Sequence, residues 1–313
     1  MKKVEKNRFD VVIIGGGPGG LSAALWCDEL GLSAVVLEKE KEFGGQLLWT
    51  HNAIENHLGT TAENGREMRD LFLSQIEKRT FIKHLQAEVK EANLEEKRIT
   101  LQNGEEFFGE FIIIATGVSR RKLNVKGEDF FRGKGIIESG KKNAEKVKNK
   151  KVLIVGGGDA ALENALILSE KAEKVYLAHR RNEFRGRQEF IGKVQENKRV
   201  EILLETELVE INGEENIESV IIKNKKDGKN QEIKVEFVLP RIGVQPNTEL
   251  FRGQIKLQKN GYIETDSHCR TNIQGIYAVG DVANPISPTI STAVGMGATA
   301  AKEILFLRGG QKQ

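Results

Sequence analysis

The sequence predicts an α/β fold of two parallel-stranded modules, each a strand, a glycine-rich turn, a helix and a second strand. Three observations predict it. An apolar run, Val11-Val12-Ile13-Ile14, passes directly into Gly15-Gly16-Gly17-Pro18-Gly19-Gly20. A second run, Val152-Leu153-Ile154-Val155, passes into Gly156-Gly157-Gly158-Asp159-Ala160-Ala161. The 313 residues exceed the roughly 100–200 of one domain, which leaves each copy its own core.

Continuous rather than alternating apolar residues mark a strand buried on both faces. After the first turn, Leu21-Ser22-Ala23-Ala24-Leu25-Trp26 supplies helix formers with an apolar face. Gly31 ends that helix, and Ala34-Val35-Val36-Leu37 forms a second strand closing at Glu38. The later copy runs through a helix to Lys174-Val175-Tyr176-Leu177-Ala178 and closes at His179. Gly15 to Glu38 and Gly156 to His179 are each 23 residues apart, so the copies differ in what ends the second strand and not in length.

The bulk properties narrow the function. Hydrophobic residues make up 39% and charged residues 30%, an ordinary soluble composition, and no apolar run approaches the ~18–20 uncharged residues of a membrane span. The charged stretch from Met1 to Asp10 leads straight into the first strand with no cleavable apolar segment, which reads as a cytoplasmic protein without a secretory leader. A net charge of +3 does not indicate nucleic-acid binding. Two cysteines, Cys27 and Cys269, form no C-x-x-C pair; that excludes a disulfide scaffold and a zinc site, no metal is expected, and both read as buried or inert thiols.

Glycine turns in this setting have a chemical purpose. The first glycine permits the bend, the second lets backbone approach a pyrophosphate, and the third allows close helix packing; here these are Gly15, Gly17 and Gly20. The phosphates then rest on the free N–H groups of the following helix. Gly156, Gly158, Asp159, Ala160 and Ala161 offer the second copy of that site. Glu38 can accept from both hydroxyls of an unphosphorylated ribose, as in FAD or NAD. His179, Arg180 and Arg181 take the equivalent place in the second module, with Arg185 one turn further if that stretch is helical, and guanidinium groups match a 2′-phosphate. The expectation is FAD in the first module and NADPH in the second.

With these residues in place, the chain resembles the low-molecular-weight thioredoxin reductase branch of the pyridine nucleotide-disulfide oxidoreductases, from about Phe9 to Leu307. Gly44-Gly45-Gln46-Leu47, Ile54-Glu55-Asn56, Ile112-Ile113-Ile114-Ala115-Thr116-Gly117, Gly243 to Asn247 and Tyr277-Ala278-Val279-Gly280-Asp281 carry the resemblance beside the two turns. It implies two Rossmann-like, three-layer ββα dinucleotide-binding domains, with the NADPH domain (118–245) inserted into a discontinuous FAD domain (1–117 and 246–313). By the same resemblance Gly45, Gln46, Asn56, Thr116 and Gly117 lie along the FAD, and Gly280 and Asp281 meet the ribityl chain. The helix beginning near Thr289 and Ile290 aims its N-terminus at the flavin, and Gly243 borders the NADPH site. A homodimer is implied too.

The chain also departs from this family. Ser139 and Lys142 stand where its C-x-x-C sulfurs would be, and neither side chain can exchange disulfides, so no catalytic residue is assigned. Pro288-Thr289-Ile290 replaces the Arg-Gln-Ala usual after the second FAD motif. Arg241 replaces a small or apolar residue and is read as a long side chain reaching solvent at a domain edge. His51 and His57 are read as surface or structural imidazoles.

Without a dithiol, electrons must leave the flavin directly. The chain is then similar to thioredoxin-reductase-like ferredoxin or flavodoxin NADP reductases, and the basic segments Arg120-Arg121-Lys122 and Lys141 to Lys151, ordinary solvated surface otherwise, could steer such an acidic carrier. Those reductases extend past the last helix with an aromatic residue on the flavin, whereas this chain stops at Gln313, so the alternative is a thioredoxin-reductase-like enzyme or, with a more open flavin, a small-molecule reductase of quinones, oxygen or a disulfide. A non-catalytic flavin- and NADPH-binding redox sensor is a third reading.

Overall fold

The computed structural model describes residues 7–310; the charged stretch up to Lys6 and the end at Gln313, both used in reading the sequence, lie outside them. The chain divides into two compact units, one taking everything up to Ser119 and again from Gln245 onward, the other Arg120–Val244.

In chain order the first unit holds β1 (Arg8–Ile14), α1 (Pro18–Glu29), β2 (Ala34–Leu37), α2 (Gly65–Ile76), β3 (Ile82–His84), β4 (Val89–Asn93), β5 (Arg98–Leu101) and β6 (Glu106–Ile114). The chain leaves it through β7 (Val118–Arg120). The second unit follows with α3 (Gly140–Asn143), β8 (Lys151–Gly156), α4 (Asp159–Ser169), β9 (Lys174–Ala178), α5 (Gln188–Glu196), β10 (Val200–Leu203), β11 (Thr206–Asn212), β12 (Ser219–Asn224), β13 (Asn230–Lys234) and β14 (Phe237–Arg241). The return runs through β15 (Val244–Pro246), which pairs with β7, to β16 (Ile276–Ala278) and α6 (Ile290–Gly310).

In the first unit β3, β2, β1 and β6 lie side by side and parallel, and β16 adds to the C-terminal half of β6. The N-terminal half of β6 turns antiparallel partners, β5 and then β4, onto the opposite face. Alternation along β1 shows the layering. Val11 and Ile13 pack with Leu21, Ala23 and Ala24 of α1 and Ala300, Ala301 and Ile304 of α6. Val12 and Ile14 pack with Leu94, Ile99, Leu101 and Phe107. A strand covered on both faces has no polar face, which is why β1 reads as an unbroken apolar run.

The second unit repeats the plan. Its parallel sheet runs β10-β9-β8-β14, with β11, β12 and β13 as a separate antiparallel sheet. Val152 and Ile154 face Ala161, Leu162, Ala165 and Leu168 of α4, while Leu153 and Val238 face Val220, Ile222 and Ile233. Both units are therefore three-layer ββα sandwiches.

Local chemistry sets the helix ends. Pro18 opens α1, where its missing N–H loses nothing, and Gly31, at φ 69°, carries the chain out in the left-handed region. Asn64 caps α2 by accepting from the N–H groups of Arg66 (2.9 Å) and Glu67 (3.1 Å). By length and composition α6 could span a bilayer, but it packs along α1 and carries Lys302 and Glu303, the latter ion-paired with Arg270.

The α1–α6 contact depends on missing side chains. A Cβ on Gly297 would land on the Gly19 carbonyl oxygen and 2.8 Å from the Ala23 nitrogen, both backbone atoms that cannot rotate away. Gly297→Val is expected to lower the stability of the FAD-free protein by about 1–3 kcal/mol, the usual cost of overpacking. Urea unfolding followed by circular dichroism measures it, and an unchanged midpoint would mean that the two helices slide apart at no cost.

Candidate functional site

The first candidate site forms where β1 ends. Gly15 (φ 107°) needs the left-handed region, and a Cβ there would also collide with the Ala115 carbonyl at the end of β6. On Gly20, a Cβ would sit on the Gly15 carbonyl, so the third glycine lets α1 start against the strand. The loop at Gly44 and Gly45 docks onto this turn: Gly44 N donates to Gly16 O at 2.9 Å, and a Cβ on Gly45 would approach the Gly17 Cα to 3.0 Å. What remains is a backbone-walled slot at the N-terminus of α1, where a Cβ on Gly17 would lie 3.8 Å from the Gly45 Cα.

Glu38 is buried beside the slot. Its Oε2 accepts from Gly16 N (2.7 Å) and its Oε1 from Glu40 N (2.9 Å), which fixes the carboxylate while leaving each oxygen a further lone pair. Gln46, in the short 3₁₀ turn Gly45–Trp49, donates to the Val118 carbonyl at 2.8 Å. Asn56 lies exposed in the loop after Ile54.

Asp281 completes the first site. It follows Gly280 (φ 72°) and is half-buried, and its carboxylate has no hydrogen-bonding partner among the described residues. Burial raises its pKa above the ordinary carboxylate value. A desolvated carboxylate without donors is costly, and a ligand rich in hydroxyls would relieve it. Nearby, Thr289 caps α6 by accepting from Thr292 N (3.2 Å), Ile290 packs on Leu47, Ile54 and Met68, and Ser291 Oγ lies 3.0 Å from His57 Nδ1.

The sequence did not single out Asn247 by role. Its amide donates to the Thr116 carbonyl (2.7 Å), its own carbonyl accepts from the Thr116 hydroxyl (2.8 Å), and its N–H reaches the Gly117 carbonyl (3.0 Å). These bonds clamp the segments that precede and follow the inserted unit; Gly117 itself is left-handed at φ 63°.

The second candidate site forms where β8 ends. A Cβ on Gly156 would strike the Arg241 carbonyl on β14, while Ala161 stands at the third-glycine position with its methyl in van der Waals reach. Gly158, Asp159 and Ala160 are exposed at the start of α4. Asp159 does not point its charge into the turn; its carboxylate accepts from the N–H of Arg187 (2.7 Å) and pairs with the Arg187 guanidinium (3.2 Å). The α4 N-terminus thus stays open to an anion.

Two expectations change here. His179, expected among the phosphate contacts, lies buried with its ring over Gly157 and against Phe184, and its Nε2 has no partner. Burial, then Arg180 and Arg185, push its pKa below the ordinary value against an opposing bond from the Glu183 backbone, so the imidazole stays neutral. Arg185 is not one helical turn beyond Arg181, because 180–187 form an irregular loop and α5 starts at Gln188. The loop folds back onto the glycine turn, with Arg185 N donating to Gly157 O at 2.8 Å. Arg180, Arg181 and Arg185 nonetheless remain after β9 with no carboxylate within ion-pair distance among the described residues. Gly243 (φ 90°) accepts from Arg121 N at 3.1 Å.

Comparison with known proteins agrees with this geometry. The pyridine nucleotide-disulphide oxidoreductase family matches residues 9–297. The chain belongs to this family. It is 34% identical over 300 residues to a thioredoxin reductase of Spironucleus barkhanus, covering 93% of this chain and 96% of that one. It is 31% identical over 298 residues to a 34.2 kDa protein in the rubredoxin operon of Clostridium pasteurianum, covering 95% and 96%. The structure of Lactococcus lactis thioredoxin reductase in its FR conformation superimposes with a TM-score of 0.83 at 32% identity, covering 96% of this chain and 99% of that one. Membership makes the protein an FAD-dependent NAD(P)H oxidoreductase of thioredoxin-reductase type that binds FAD and NADPH.

Against that family background the sulfur chemistry stands out. Ser139 is buried and caps α3, accepting from Lys142 N at 3.3 Å, while Lys142 is exposed. Both cysteines lie in one apolar cluster between the parallel sheet, α1 and α6. Burial raises the Cys27 thiol to about 12 and the Cys269 thiol to about 11, so neither forms a thiolate near neutrality. Iodoacetamide at pH 8 is expected to leave both unmodified in the native protein and to alkylate both in 6 M guanidinium. Mass spectrometry distinguishes these states, and rapid native labelling would contradict the buried placement.

Proposed function

We propose that the discontinuous unit holds FAD and the inserted unit NADPH, and that electrons pass from NADPH through the flavin to an external carrier protein, a ferredoxin or flavodoxin, in a cytoplasmic homodimer. The observation that carries this reading is the absence of a usable thiol: the two cysteines are buried and protonated, and by the family resemblance Ser139 and Lys142 stand where the dithiol would be. The relative in a rubredoxin operon supports a small electron carrier as the acceptor.

The chain's own residues would share the work as follows. N–H groups at the start of α1 receive the FAD pyrophosphate between Gly17 and Gly45, Glu38 accepts from the adenosine ribose, and Asp281 accepts from the ribityl hydroxyls. Gln46, Asn56, Thr116, Gly117, Gly280, Thr289 and Ile290 frame the remainder. In the inserted unit, Gly156, Gly158, Asp159, Ala160 and Ala161 form the pyrophosphate turn, Gly243 borders it, and Arg180, Arg181 and Arg185 take the 2′-phosphate through charge-assisted hydrogen bonds. His179, neutral and buried, holds Gly157 in place instead of meeting phosphate. FAD, when bound, would take one hydride from NADPH as an electron pair and pass the two electrons on singly or together.

Anaerobic NADPH oxidation by the FAD-loaded protein tests the acceptor. Turnover is expected with ferredoxin or flavodoxin coupled to a haem reporter, and none with thioredoxin and a disulfide dye; the reverse pattern overturns the reading.

Asp281 gives a separate test. Its folded pKa is raised, so the carboxylate form is disfavoured until hydroxyl donors arrive, and FAD should bind most tightly when Asp281 is ionised. Affinity is expected to fall as pH drops through that raised pKa. Asp281→Ala should weaken FAD by about 10–150-fold, the roughly 1.5–3 kcal/mol of a hydrogen bond to a charged group, and Asp281→Asn should flatten the pH dependence. Flavin retained after gel filtration reports both, and an unaltered pH profile in Asp281→Asn would remove Asp281 from the site.

A further inference from the structure

Two arginines in the inserted unit stand in an arrangement that the fold does not require. Arg241, at the C-terminal end of β14, is half-buried, and it reaches inward instead of to solvent as its sequence context suggested. Its Nη1 donates to its own neighbour's carbonyl, Pro240 O (2.9 Å), and its Nη2 to Glu138 O (2.6 Å) and, at 3.4 Å, to Asn164 Oδ1. Arg120 Nη1 donates to the same Glu138 carbonyl at 2.5 Å. Two guanidiniums converging on one neutral oxygen lie within about 5 Å of each other, where like charges repel. Among the described residues neither forms an ion pair of 4.0 Å or less, while the Glu138 carboxylate acts on both and that of Glu163 on Arg241.

The duplication supplies an internal control. In the first unit the carbonyl that crowds Gly15 belongs to Ala115; in the second, the carbonyl that crowds Gly156 belongs to Arg241. These are equivalent places at the ends of neighbouring parallel strands. A methyl side chain therefore suffices for the backbone contact, and packing does not explain the guanidinium. Burial, followed by Arg120, lowers the Arg241 pKa to about 10 against partial relief from Glu163 and Glu138, and burial lowers that of Arg120. The half-buried Arg241 and the exposed Arg120 thus form a like-charged pair that an anion between them would stabilise.

The position says where that charge would come from. Arg241 pairs in register with Gly156, at the C-terminal edge of a parallel sheet, where ligands of such sheets bind. Sheet order β10-β9-β8-β14 puts Arg180, Arg181 and Arg185, which follow β9, on one side of the glycine turn, and Arg241 on the other. Asn164 joins the second group to α4: its Oδ1 accepts from Gly140 N (2.7 Å) and its Nδ2 donates to Ala160 O (2.7 Å). The carbonyl that both arginines hold precedes Ser139, the residue at the first missing sulfur position.

We propose that Arg120 and Arg241 form a second anion subsite of the inserted unit, on the β14 side of the glycine turn, that takes a phosphate group. The proposal rests on the reading of this unit as the NADPH-binding one only for one of its two phosphate sources, the nicotinamide-side phosphate of the dinucleotide; the other source is a separate phosphate-bearing ligand. Of five N–H donors on each guanidinium, Arg120 spends one and Arg241 at most three, so paired donors remain for phosphate oxygens.

Calorimetric titration of the full-length, FAD-loaded protein with NADP⁺, 2′,5′-ADP and inorganic pyrophosphate tests it, in the wild type, Arg241→Met, Arg120→Met and, as a control, Arg181→Met. If the dinucleotide is the source, Arg241→Met and Arg120→Met each weaken NADP⁺ about 10-fold, the effect of losing one charge-assisted contact, and leave 2′,5′-ADP unchanged, while Arg181→Met weakens both. If the ligand is separate, NADP⁺ binding is unaltered, and pyrophosphate binds the NADP⁺-saturated wild type but is lost in the two variants. Unchanged affinity for both NADP⁺ and pyrophosphate in the variants overturns the subsite. A wild type that fails to bind 2′,5′-ADP overturns instead the assignment of NADPH to this unit, and the pyrophosphate arm still decides the subsite. Arg120 is exposed, so Arg120→Met keeps the test intact should Arg241→Met fold poorly.

Discussion

The close approach of backbone to backbone at the ends of the two central strands is the constraint on which both candidate sites depend. Where β1 ends, the carbonyls of Gly15 and Ala115 occupy the space that side chains on Gly20 and Gly15 would need. Helix α1 can begin there only because those side chains are missing. Its open N–H groups then face the slot left by Gly17 and Gly45. The same logic recurs at β8, relaxed by one methyl: Ala161 replaces the third glycine and is accommodated against Gly156.

From this shared frame the two sites diverge through single residues at matched places. At the end of the second strand, Glu38 is fixed by two backbone N–H groups and presents a carboxylate, whereas His179 turns inward over Gly157 and leaves the field to Arg180, Arg181 and Arg185. At the end of the neighbouring strand, Ala115 is matched by Arg241. Each exchange makes the second site more positive than the first, in keeping with a ligand carrying an additional phosphate.

The segment around Ser139 holds its place through hydrogen bonds from its backbone N–H groups. Ser139 serves as a helix cap, Gly140 is held by Asn164, and Lys142 faces solvent, so the segment keeps its backbone geometry without a redox group. Cys27 and Cys269 lie in the same apolar cluster of the first unit as small side chains, a use of free cysteine that requires them to stay protonated.

The sequence by itself determined the duplicated strand-turn-helix-strand plan, the two glycine turns, the contrasting ends at Glu38 and His179, and the lack of a C-x-x-C. These features rest on interactions between residues near in sequence: apolar periodicity, the conformations that only glycine adopts, and a fixed spacing from turn to strand end. Tertiary structure alone decided the direction of the Arg241 guanidinium, its meeting with Arg120, the Asn247 clamp on Thr116, the inward turn of His179 and the loop that carries Arg185 back to Gly157. It alone left Asp281 half-buried without a donor. Each of these outcomes depends on which groups remain for a side chain to bond once distant strands have closed into a sheet, and a linear pattern of residue types carries no record of that.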